Sequence, residues 1–87
     1  MYVILVYDIG EKRVGKMLKH CRKYLNWIQN SVFEGEITTL NLKKLVDGAD
    51  MIMEEEKDCV IVFKSRNKEW LEKEIYGKER KTTDNFL

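Results

Sequence analysis

The spacing of hydrophobic positions changes several times along the chain, and each change marks an element. Residues 2–7 read YVILVY, an unbroken apolar and β-branched run of the kind a strand covered on at least one face carries. It predicts a central strand. From Val14 the spacing becomes three and four, so that Val14, Met17, Leu18, Cys21, Tyr24 and Leu25 form one stripe of a helix. Residues 27–37 return to short alternations, with Trp27, Gln29, Ser31 and Phe33 set against Ile28, Asn30 and Val32, followed by Glu34-Gly35-Glu36-Ile37. This predicts one or two strands with a bend, either at Asn30-Ser31 or at Glu34-Gly35. Thr39 is placed to cap a second helix whose apolar positions are Leu42, Leu45, Val46, Ala49, Ile52 and Met53. Gly48 weakens that helix by about 1 kcal/mol relative to Ala without forbidding it. After the acidic residues 54–58 comes CVIVF (59–63), a further apolar strand.

The order β, α, β or ββ, α, β predicts an α+β fold, a ferredoxin-like βαββαβ sandwich with an antiparallel sheet and both helices on one face. Residues 65–87 are strongly charged yet contain Trp70, Leu71, Ile75, Tyr76, Phe86 and Leu87, too much apolar surface for a discarded tail. Residues 72–79 read as one extra strand. The chain therefore divides into a core domain, residues 1–64, and a closing segment, residues 65–87. A small sheet with a spare edge invites pairing across a two-fold axis, so a homodimer is expected.

Length and charge narrow the function classes. Eighty-seven residues make one domain, too small for a deep private cleft, so a site is expected on a surface or between copies. The formal charge of +1 conceals a segregation: residues 10–30 hold six Lys or Arg and one acid, whereas residues 34–58 hold eight acids and three bases. On a helical wheel Lys12, Lys16, Lys19 and Lys23 fall opposite the apolar stripe. With Arg13 and Arg22 they form the best phosphate-binding candidate in the chain, because clustered cations gain affinity by displacing counterions from a phosphodiester backbone. A merely solvated helix face is the other reading, although such faces usually intersperse both signs.

Cys21 and Cys59 form no CxxC pair and read as reduced core thiols rather than zinc ligands. No charged leader or membrane-length apolar run is present, which predicts a cytoplasmic protein with no membrane partner. Phosphate-loop, dinucleotide, zinc-protease and nucleophile-elbow motifs are absent, and His20 alone cannot form a metal cluster. His20 reads as a solvated or half-buried side chain at the margin of the first helix. Asp8, closing an apolar strand before a glycine, is the candidate chemical group. Asp8-Ile9-Gly10-Glu11 also reads as a helix start with Asp8 as its cap, and both readings stand at this point. A single carboxylate is a poor site for Mg²⁺, which usually takes one or two together with waters and phosphate oxygens. A two-fold axis would supply a second Asp8.

Val6-Tyr7-Asp8-Ile9 followed by Lys12, Arg13 and Lys16, then the segment IQNSVFEGEIT (28–38), resembles the CRISPR-associated protein two family of small spacer-acquisition proteins. FKS (63–65), EIYGKE (74–79) and TDNFL (83–87) resemble that family's last strand and closing segment, so the likeness spans nearly the whole chain. The resemblance implies a ferredoxin-like homodimer in which two Asp8 side chains share a Mg²⁺ and the closing segment packs on the partner protomer. It implies a metal-dependent endonuclease acting on single-stranded RNA or double-stranded DNA, and a bridge for the CRISPR-associated integrase of the protein one family. Asp8 is then the catalytic and metal-binding residue, Tyr7 its neighbour, and Arg13, Ser31 and Phe33 belong with Tyr7 and the lysines to nucleic-acid binding. Two alternatives are a non-catalytic DNA-binding scaffold and a toxin-type ribonuclease of the same fold. An RNA-recognition module is discounted, because the later strands lack its aromatic segment.

Overall fold

Six residues of unbroken apolar sequence can sit between two neighbours in a sheet, and β1 (Tyr2–Asp8), which adds Asp8 at their end, does so, pairing antiparallel with both flanking strands. The computed structural model describes residues 1–77. After β1 come α1 (Glu11–Arg22), β2 (Asn26–Gln29), β3 (Val32–Glu36), α2 (Thr39–Ile52), β4 (Cys59–Ser65) and a single 3₁₀ turn, Lys68–Trp70. The sheet runs β2-β3-β1-β4, antiparallel throughout. This is the ferredoxin-like α+β arrangement read from the order of the elements. β4 carries one residue past the 64/65 boundary, and residues 71–77 form no strand within this chain; the remainder of the expected extra strand lies outside the described residues.

Alternation in β1 separates the two faces. Val3, Leu5 and Tyr7 turn toward the helices and join Phe33, Met17, Cys21, Leu25, Leu42, Leu45 and Ala49 in one core. Tyr2, Ile4, Val6 and Asp8 turn the other way, in register with Glu36, Glu34 and Val32 on β3 and with Ser65, Phe63, Ile61 and Cys59 on β4. Neither α1 nor α2 covers this open face. Ile61 and Phe63 remain 47% and 56% exposed, which is why the wholly apolar β4 sequence does not mean burial on both sides.

The bend left undecided by the sequence falls at Asn30-Ser31, where Asn30 adopts φ 45°, a left-handed conformation that asparagine tolerates better than most residues. Gly35, by contrast, is a strand residue beneath Leu25. A Cβ there would meet the leucine's Cδ2 at 3.3 Å. Two further details of the sequence reading change. Thr38, not Thr39, caps α2, its Oγ1 accepting the Asn41 N–H at 3.1 Å. Val14 stays 38% exposed, because the core begins one turn later at Met17.

The helices meet at a specific contact. The His20 Nε2 lies 2.8 Å from the Leu45 carbonyl oxygen, and the imidazole rests where a Cβ on Gly48 would be. His20 is thus a packing residue between α1 and α2. Gly48, a weak spot by helix propensity, makes the room for it.

Candidate metal and nucleic-acid site

Asp8 ends β1 on the open face and is exposed. It does not cap α1. Gly10 occupies the cap position, and no side chain bonds the first turn from there. The carboxylate that serves the start of α1 belongs to Asp58, the residue before β4. Its Oδ1 accepts the Gly10 N–H at 2.9 Å and the Arg13 Nη2 at 3.0 Å; its Oδ2 accepts Arg13 Nε at 2.7 Å and the Glu54 N–H at 2.8 Å. These bonds, the Arg13 fork first, hold the Asp58 carboxyl well below the usual carboxylate range, and the same pairing raises the Arg13 guanidinium. Arg13 also lies 3.3 Å from Glu54.

The expected phosphate-binding row therefore divides. Arg13 is half-buried and engaged with two carboxylates, while Lys12, Lys16, Lys19 and Lys23 are exposed and form no ion pair among the described residues. From Lys12 to Lys23 the row extends about 16 Å along α1, taking 1.5 Å per residue. That matches about five phosphates of one strand at 3.4 Å each. Arg22 lies over the Trp27 ring at 5.7 Å. Lys12, in the first turn, is the lysine of the row nearest in sequence to Asp8.

Tyr7 and Phe33, expected among the nucleic-acid contacts, are buried on the helix side of the sheet, their rings stacked with centroids 6.0 Å apart. Burial also pushes the Tyr7 hydroxyl's pKa up. Any contribution they make to binding runs through the core that holds β1 and β3. Ser31 sits in the hairpin at the Asp8 end, where its carbonyl oxygen accepts the Tyr7 N–H at 3.2 Å. Directly across β4 from Asp8 is the exposed thiol of Cys59; the core-thiol reading holds for Cys21 alone, and neither is in a disulfide.

Sequence reasoning missed three residues. Asp58 is the last residue of the acidic run, and its place immediately before an apolar strand is its one sign in the sequence. Glu34 is almost fully buried on the open face, where it pairs with Lys73 and takes a hydrogen bond from Tyr2. Burial and the Glu34 charge push Tyr2 up to about 12. Lys73 thereby brings the segment after β4 back to the sheet.

The donor chemistry suits a hard cation: Asp8 supplies carboxylate oxygen in an exposed position, leaving room for water and phosphate ligands. Among the described residues no group of three or more His, Cys, Asp or Glu stands ready to hold a metal by itself. A strand-end carboxylate and a row of exposed lysines on the first helix thus stand on a ferredoxin-like sheet whose second face neither α1 nor α2 covers.

Comparison with known proteins places this chain within a named group. Residues 1–73 match the family model described as CRISPR associated protein Cas2. A protein of Dictyoglomus turgidum named CRISPR-associated endoribonuclease Cas2 is 44% identical over 87 residues, covering all of both chains. A protein of the same name from Fusobacterium nucleatum is 42% identical over 92 residues, covering all of this chain and 87% of the relative. A solved structure titled "Crystal structure of cas2" superposes with a TM-score of 0.84 at 36% identity, covering 92% of this chain and 90% of the other. The chain belongs to the CRISPR-associated Cas2 family.

Proposed function

We propose that this protein is a CRISPR-associated endonuclease that hydrolyses phosphodiester bonds of single-stranded RNA or double-stranded DNA, working as a homodimer with Mg²⁺ held between two Asp8 carboxylates. Asp8 carries the reading: it is an exposed carboxylate at the end of the central strand, on the face that neither α1 nor α2 covers. Ile61 and Phe63 on that face, with Ile4, Val6 and Val32 beside them, favour a second copy as its cover, since contiguous exposed apolar surface marks an interaction site. The endoribonuclease name of the relatives supports the nuclease assignment.

In this mechanism Lys12, Lys16, Lys19 and Lys23 hold the phosphate backbone, and the Ser31 hairpin fixes the end of β1. The paired Asp8 groups would provide the oxygen ligands of Mg²⁺, whose chemistry there would be positive charge toward a phosphodiester oxygen and a lowered pKa for water. We further read the dimer as a DNA-holding bridge for the CRISPR-associated integrase of the protein one family. We place it in the cytoplasm, where the free thiols Cys21 and Cys59 stay reduced; no described helix is long and apolar enough to cross a membrane.

The single carboxylate per chain favours a second reading, a non-catalytic scaffold that holds DNA while the integrase does the chemistry. Asp8→Ala separates the two. Metal-dependent cleavage of RNA and DNA by the highly purified variant should vanish; cleavage at the wild-type rate ends the hydrolysis reading. Spacer acquisition that survives the change supports the scaffold.

A further inference from the structure

We infer that Asp58 is a positioning residue for the Asp8 site: by clamping the turn that follows Asp8, it sets how the Asp8 carboxylate is presented. The inference rests on the metal reading above and extends it to a residue that touches neither metal nor substrate.

The connection runs through the backbone. Asp8 is the last residue of β1, and Gly10, two residues on, caps α1. Gly10 is held at both ends, its N–H donating to Asp58 Oδ1 and its carbonyl accepting the Arg13 N–H at 2.9 Å. The Arg13 side chain folds back over the same turn, and a Cβ on Gly10 would overlap its guanidinium. Glycine is what permits the Arg13 fork to reach Asp58. From the other side, Asp58 precedes Cys59, the residue in register with Asp8. Asp58 therefore ties the exit of β1 to the entry of β4 at the one place where the candidate ligand sits between them.

A carboxylate needed only to shape the α2–β4 connection would bond Glu54 and stop there. This one directs three of its four hydrogen bonds at residues 45 and 48 positions away. Both oxygens are filled, and the side chain is fully buried. It is not available as a ligand itself. Outer groups that orient a metal ligand typically change metal affinity 10- to 100-fold when altered.

The test uses the full chain with Mn²⁺ as the probe, its binding followed by electron paramagnetic resonance, together with amide hydrogen exchange at Gly10. Asp58→Asn should remain folded and dimeric by circular dichroism and sedimentation, lose protection at the Gly10 amide, and bind Mn²⁺ about 10- to 100-fold more weakly. Asp8→Asn is the control. If it binds Mn²⁺ like the wild type, the metal reading itself fails. If it loses Mn²⁺ while Asp58→Asn, with its Gly10 amide exposed to exchange, keeps wild-type affinity, the positioning role is overturned. Should Asp58→Asn not fold, Gly10→Ala displaces the guanidinium from the turn and must weaken Mn²⁺ binding likewise; unchanged affinity there overturns the inference equally.

Discussion

Substituting Phe33 separates a packing role from a binding one. The side chain is fully buried on the helix side of the sheet and stacks on Tyr7 at 6.0 Å with an interplanar angle of 28°. Removing a buried Phe to Ala costs about 3–5 kcal/mol, and the ring pair accounts for about 0.5–1.5 kcal/mol of that. At about 0.05–0.15 kcal/mol per residue, a domain this size has roughly 4–13 kcal/mol in total. Phe33→Ala therefore removes from about a quarter of that stability to all of it and is a poor probe of binding. Phe33→Leu keeps most of the volume and should cost under about 1.5 kcal/mol. With a urea dependence of about 1 kcal/mol per molar, the unfolding midpoint falls by about 1 M. The measurement is urea unfolding followed by circular dichroism at fixed protein concentration, paired with nucleic-acid titration of the folded variant. Affinity should stay within about twofold. A tenfold loss of affinity, about 1.4 kcal/mol, with an unmoved midpoint would refute burial as the role of Phe33.

Other outcomes follow from the same geometry. Gly48→Ala gains about 1 kcal/mol of helix propensity but displaces His20 from its bond to the Leu45 carbonyl, so the single change should be near neutral or destabilising. In a His20→Ala background the same change should stabilise by about 1 kcal/mol; equal effects in both backgrounds would show that the two residues do not meet. Lys16→Glu combined with Lys19→Glu should weaken nucleic-acid binding and flatten its dependence on salt, and undiminished affinity would remove α1 from the interface. Burial lifts the Cys21 thiol from 9.0 to about 12 and, with Glu34 adding to it, lifts Tyr2 from 10.0 to about 12. The folded state then keeps protons that the unfolded chain releases, so these groups stabilise fully below about pH 9 and progressively less toward pH 12. Melting temperature should fall across that range, and a flat profile from pH 9 to 11 would contradict it. Iodoacetamide should modify native protein at exposed Cys59 and spare Cys21, which is checked by mass spectrometry.

Much of the architecture was legible from spacing because secondary structure and burial leave periodic marks. The YVILVY run became the central strand, and Met17 and Cys21 of the three-and-four stripe became the buried side of α1. The marks fail where one physical need hides another. The apolar β4 sequence read as a strand without showing how much of it is buried, and among the described residues Ile61 and Phe63 on its outer side stay exposed. Asp8 sat in a pattern that also reads as a helix cap, and local sequence has no means of deciding between them. The decision came from the folded backbone, which puts Gly10 at the cap and hands its N–H to Asp58, fifty residues from Asp8.

Residue type and order alone were sufficient for the class of fold and the segregation of basic from acidic residues, because each depends on neighbours within a turn or a strand. Tertiary structure alone decided that Arg13 is an anchor rather than a free cation, that Phe33 and Tyr7 are core, and that Glu34 is buried against Lys73 and Tyr2. Those outcomes depend on which distant groups compete for the same hydrogen bonds and the same volume, and that competition exists only once the chain has folded.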